Sequence, residues 1–215
     1  MPSSLRKFAL TAHVTASVGW LGAVAGFLAL AVAGLRSHDV QMVRAAYLAT
    51  ESITWSVIVP LAFASLLTGL VVSLSAPWGL FRHYWVLVKF MLTILATVLL
   101  LLHTRPIGIL AAAVREIAWS SGDIRRWQIQ LVGDAAAALL ALVVSVTLSI
   151  YKPPGMTAYG RRKQNAQRQL SGSETLVDNG RGAKWMKAFV ILVGGLILVF
   201  ILHLAGGGLG ALHYR

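Results

Sequence analysis

Apolar residues run nearly unbroken through five stretches of the chain, roughly 8–35, 54–75, 84–103, 131–151 and 187–205. Each approaches or exceeds the ~20 residues that carry a helix across a bilayer. The pattern predicts an all-α, polytopic membrane helical bundle with five transmembrane helices. Four form a core over 1–151, a basic linker covers 152–186, and a fifth helix with a C-terminal tail occupies 187–215. The first run is about twice the length of a secretory signal's apolar core and predicts an uncleaved span.

The polar stretches between the spans differ in kind. Lys152 to Lys184 opens with Pro153-Pro154-Gly155 and continues through Arg161, Arg162, Lys163, Gln164 and Asn165. It is too polar to supply a core, and predicts a flexible or lipid-associated linker. Between Thr104 and Gln130, by contrast, Ile107, Leu110, Ala111, Val114, Ile117 and Ala118 recur at near-helical spacing beside Arg115 and Glu116. That periodicity predicts an amphipathic interfacial helix between spans three and four. Trp55, Trp78, Trp85, Trp119, Trp127 and Trp185 fall near span ends or loops, as aromatic belts do, and Pro60 predicts a kink in span two.

Composition agrees with the pattern: 57% of the 215 residues are hydrophobic and 12% are charged. The absence of cysteine excludes disulfides, thiolate metal sites, iron–sulfur clusters and covalent haem attachment. A net charge of +12 raises nucleic acid as a partner, but the cations flank apolar spans, so anionic lipid head groups at the linker are the expected counter-charge. With the N-terminus in the cytoplasm, 12 of the 19 Lys and Arg residues fall inside, Arg6, Lys7, Arg82, Lys89 and the linker cations among them. The expected setting is the inner or plasma membrane, with the C-terminus outside, and a larger membrane complex or a homo-oligomer as the protein partner.

Ionisable residues inside spans are costly and mark candidate sites. His13 lies in span one and Lys89 near the start of span three, at comparable depth if both spans run outward. Ala16, Ser17 and Trp20 share the helical face of His13, leaving small residues and then a large ring where a flat macrocycle would lie. Histidine is a common haem ligand whose tautomer is set by an acceptor, a role open to Thr11 or Thr15; Lys89 could ligate as the amine or pair with a propionate. His103, His203 and Asp134 gather at the opposite level, and a rise of ~21 Å from Lys89 to His103 keeps the two groups apart.

Each residue also has a plainer role. Lys89 can snorkel to the head groups, His13 can be a helix-packing donor, and His103 and His203 can be interfacial. Asp134 can pair with Arg126 or cap span four. Gly22 and Gly26 form a small-residue packing motif, and Gly206–Gly210 follows no strand that would make it a phosphate loop.

The stretch Ala12-His13-Val14-Thr15-Ala16-Ser17-Val18-Gly19-Trp20-Leu21-Gly22, together with His83-Tyr84-Trp85-Val86-Leu87-Val88-Lys89-Phe90 and His103, resembles the HemJ-type protoporphyrinogen oxidases and the CopD-like copper-resistance membrane domain. It is most similar to small bacterial integral membrane proteins that share the His-x6-Trp and Trp-x3-Lys signatures. The resemblance implies a four-helix core, b-type haem in the HemJ branch, and functional weight on His13 and Lys89. The fifth span and the second span, with Glu51, Trp55 and Pro60, depart from it. The expectation is a haem b-binding membrane protein with an electron-transfer or oxidoreductase role, the haem between spans one and three and a second one possible at His103 and His203. A cofactor-free accessory subunit is the alternative, followed by porphyrinogen oxidation or copper handling.

Overall fold

The computed structural model describes residues 3–75, 80–116, 121–152, 155–171 and residue 195. The predicted fifth span, with His203, lies outside the described residues apart from Gly195, as do Trp78, Trp119 and Trp185.

Six α-helices account for the described chain: α1 (Ser3–Arg36), α2 (Val40–Ile53), α3 (Val59–Ser75), α4 (Tyr84–Arg115), α5 (Ser121–Tyr151) and α6 (Ala158–Ser171), with a π-helical turn over Thr54–Ile58. Because that turn joins α2 to α3 without a break, four rods result: Ser3–Arg36, Val40–Ser75, Tyr84–Arg115 and Ile124–Tyr151. All are long and apolar enough to cross a membrane. Large apolar side chains such as Phe8, Val18, Leu67, Leu74, Leu102 and Leu140 face outward, the arrangement of a polytopic membrane bundle.

All four described spans are longer than the hydropathy pattern predicts, the second, third and fourth by the most. The second begins at Val40 rather than near residue 54, because Asp39 caps the helix there, its Oδ1 accepting from Gln41 N at 3.0 Å. Ser37 Oγ in turn accepts from Asp39 N at 3.1 Å, so the turn between α1 and α2 is short and the two helices pack as neighbours. The helix of the fourth, α5, begins at Ser121, which puts Asp134 inside it rather than at its start.

The third span does not end at His103. α4 runs on through Pro106 to Arg115, and Ile107, Leu110, Ala111 and Val114, the face expected to lie on the interface, are buried in the protein. Their spacing is in phase with the preceding helix, so the same rod that crosses the apolar layer carries them into the core. The C-terminal end of α4 is held from α2: Arg115 pairs with Glu51, and Arg44 Nη2 donates to the Arg115 carbonyl at 3.2 Å, a cation at the negative end of the helix dipole.

Pro60 explains the π-helical turn. It has no N–H to donate and its ring would strike the carbonyl of Ser56 in a regular helix. The wider turn, closed by Val59 N donating to Thr54 O, removes that clash. Two buried hydroxyls also return bonds to the backbone here, Thr54 Oγ1 to Thr50 O at 2.7 Å and Thr50 Oγ1 to Tyr47 O at 2.8 Å.

The chain divides into two units, 1–76 with 90–147 and 77–89 with 148–215. In the first, Trp20, Phe27, Tyr47, Ile58, Leu110 and Leu131 belong to one buried cluster. In the second, the segment after α5 meets the segment before α4: His83 and Met156 form an isolated antiparallel bridge, and Thr157 N donates to Arg82 O at 3.0 Å. The expected linker is therefore helical from Ala158 to Ser171.

Candidate functional site

His13 stands where α1 crosses α3. Its Nδ1 lies 3.0 Å from the Ser65 carbonyl oxygen and 3.3 Å from Thr68 Oγ1. The Ser65 carbonyl can only accept, so Nδ1 carries the proton and the imidazole lone pair belongs to Nε2. One turn along, Ser17 Oγ and Ser65 Oγ are 2.8 Å apart, and the contact of Gly19 with Leu61 continues the antiparallel register.

Gly69 completes this seam. A Cβ there would stand 2.9 Å from His13 Cε1 and 3.2 Å from Nδ1, so the ring occupies space that any other residue at position 69 would fill. The acceptor for His13 thus comes from α3, not from Thr11 or Thr15. Those two are exposed, because residues two positions away on a helix do not share a face. The missed signal is the pairing of His13 with Ser17 and Ser65 with Gly69, each four residues apart on an apolar helix.

A second polar pair joins α4 and α5. His103 Nε2 is 3.0 Å from Asp134 Oδ2, with both side chains more than four-fifths buried. His103 Nδ1 meets the Leu99 carbonyl at 2.8 Å and therefore carries a proton. An imidazolium facing a carboxylate at that distance would leave the pair with no net charge. That neutrality is what an apolar interior favours. Asp134 lies inside α5 rather than at its start, and its carboxylate meets the His103 imidazole.

The other predicted site residues are distributed as follows. Trp20 is buried in the first unit's core with Ala23, Val24 and Phe27, so its ring packs against protein. Lys89 is in the first turns of α4 and belongs to the second unit, whereas His13 belongs to the first. His203 lies outside the described residues. Among the described residues no group of three or more His, Cys, Asp or Glu side chains is gathered for a metal ion.

No family model, curated protein or solved structure matches the chain.

Proposed function

We propose that the protein is a membrane haemoprotein that binds b-type haem through His13 and serves electron transfer. The observation that carries this reading is the bond from His13 Nδ1 to the Ser65 carbonyl, the kind of anchoring that orients a ligating imidazole and leaves Nε2 as the basic nitrogen. Gly69 supports it by giving the ring a seat without a competing side chain. Bound haem would supply a one-electron couple, with its potential set by the axial ligands and the apolar surroundings.

Lys89 enters this reading through the motif resemblance alone, which implies functional weight on it. His103 is assigned a different role: both of its ring nitrogens already meet oxygen acceptors, an arrangement that ties helices together rather than one poised for iron.

Reduced-minus-oxidised spectra of protein purified after haem-replete expression test the proposal. A b-type band that is lost in His13→Ala and weakened or shifted in Lys89→Met is the expected outcome. A colourless wild-type protein would end the haem reading and favour the accessory-subunit role, because hydrogen bonds such as those of His13 and Ser17 also serve helix packing.

A further inference from the structure

The second unit is basic without a single counter-charge in its described part. No Asp or Glu occurs between Glu51 and Glu116 or between Asp134 and Glu174, whereas Arg82, Lys89, Lys152, Arg161, Arg162, Lys163 and Arg168 all fall in 80–89 and 148–171. Most of these cations lie on α6 or the short segment before it, next in the chain to the end of an apolar rod.

That helix is seated, not loose. Lys152, with a φ of 42°, turns the chain off the end of α5. Thr157 Oγ1 then donates to the Phe81 carbonyl, and Gly160 N donates to Thr157 Oγ1 at 3.0 Å, closing the first turn of α6. Gly160 is buried with its Cα against the Arg82 carbonyl, so closely that a Cβ would collide with that backbone. Arg161 folds back, its Nη1 donating to Met156 O at 3.0 Å. The opposite face, Tyr159, Arg162, Lys163 and Ala166, is exposed. Phe81, Ile150 and Tyr151 in the same unit are also exposed, which supplies apolar and aromatic surface of the kind found at a membrane boundary.

We propose that α6, held by Gly160 on the Arg82 carbonyl, forms a binding surface for the phosphate of anionic phospholipid head groups, with Arg162 and Lys163 as the principal cations. Charge complementarity selects the lipid, since the described part of the unit offers cations and no carboxylate. The seat holds those cations beside the membrane ends of α4 and α5, where a mobile polybasic tail would spend much of its time away from the surface. This inference is independent of the haem reading, and the protein's colour has no bearing on its test.

The full chain is reconstituted in vesicles of equal phosphatidylglycerol and phosphatidylcholine and extracted in mild non-ionic detergent, and its retained lipid is quantified by mass spectrometry. Phosphatidylglycerol should be enriched several-fold in the native protein. At about fivefold per basic residue, Arg162→Gln with Lys163→Gln should remove most or all of that enrichment, as should high salt. Gly160→Leu, which retains every charge but destroys the seat, should reduce it as well, with helix content checked by circular dichroism. Equal retention of the two lipids by the native chain overturns the proposal, as does full enrichment in the Arg162/Lys163 double variant. Full enrichment in Gly160→Leu overturns the part played by the seated helix.

Discussion

The imidazole of His103 and the carboxylate of Asp134 meet at 3.0 Å between two apolar rods, more than four-fifths buried. In such surroundings each group is tolerated because of the other. The Leu99 carbonyl holds a proton on Nδ1, and the carboxylate faces Nε2, where an imidazolium would leave the pair neutral overall.

Removing one partner should therefore cost more than removing both. Truncating a single member of a buried pair costs about 3–5 kcal/mol, since the survivor is left uncompensated, whereas apolar replacement of the two together is often close to neutral. His103→Leu and Asp134→Leu should each lower thermal stability in detergent well below that of the double variant. Additive losses in this cycle would show that the two side chains do not depend on each other.

The seat of His13 leads to a test that leaves its imidazole in the sequence. In Gly69→Val the new side chain would start 2.9 Å from His13 Cε1, with the ring between two packed helices. Overpacking of this sort typically costs about 1–3 kcal/mol, and here the element most able to move is the imidazole. The variant should lose stability and, on the haem reading, its b-type band, while Gly22→Val should leave the band in place, since a Cβ at Gly22 meets nothing within 4 Å. Equal behaviour of the two variants would remove any special role for the space at Gly69.

Glu51 and Arg115 should contribute little to stability despite joining distant segments. The Arg115 side chain is 54% exposed and that of Glu51 22%, so solvent screens the pair, and exposed pairs are generally worth about 0–1 kcal/mol. Glu51→Gln should shift the melting temperature only slightly, and by less as salt is raised. A loss comparable to that of Asp134→Leu would show that the end of α4 is more deeply held than its exposure indicates.

Much of this bundle was legible in the hydropathy pattern, since apolar runs long enough for a bilayer leave the backbone few options besides helix. The existence of the first four rods follows from that, while their ends do not. Asp39 extends the second rod to Val40 through a side-chain cap, and Pro106 fails to end the third because the apolar period continues in phase beyond it. The site was legible in part. His13 stands out as an ionisable residue in an apolar run, but the acceptor at Ser65 is 52 positions away and depends on the register between α1 and α3. The pairing of His103 with Asp134 likewise depends on how α4 meets α5, and local rules instead suggest Arg126 or a cap for the carboxylate. Thr104, Arg105 and Pro106 interrupt the apolar run after His103, yet α4 continues through them and buries Ile107, Leu110 and Val114.

Gly34 and Tyr47 provide the most direct test of the packing between the first two rods. Tyr47 is 1% exposed and its hydroxyl donates to the Ala31 carbonyl at 3.3 Å, so the ring lies against the backbone of α1. A Cβ at Gly34 would stand 2.7 Å from the ring edge and 2.8 Å from Cζ, and the short turn at Ser37–Asp39 prevents α2 from backing away cheaply. Gly34→Ala should destabilise the protein by about 1–3 kcal/mol, whereas Tyr47→Phe, which loses only the hydroxyl bond, should cost about 0.5–1.5 kcal/mol. Because the clash is with the ring and not with the hydroxyl, Tyr47→Phe should not rescue Gly34→Ala, but Tyr47→Leu should recover part of the loss. Thermal unfolding of the four variants in detergent decides the matter, and a Gly34→Ala protein as stable as the wild type would mean that the two helices do not approach each other this closely.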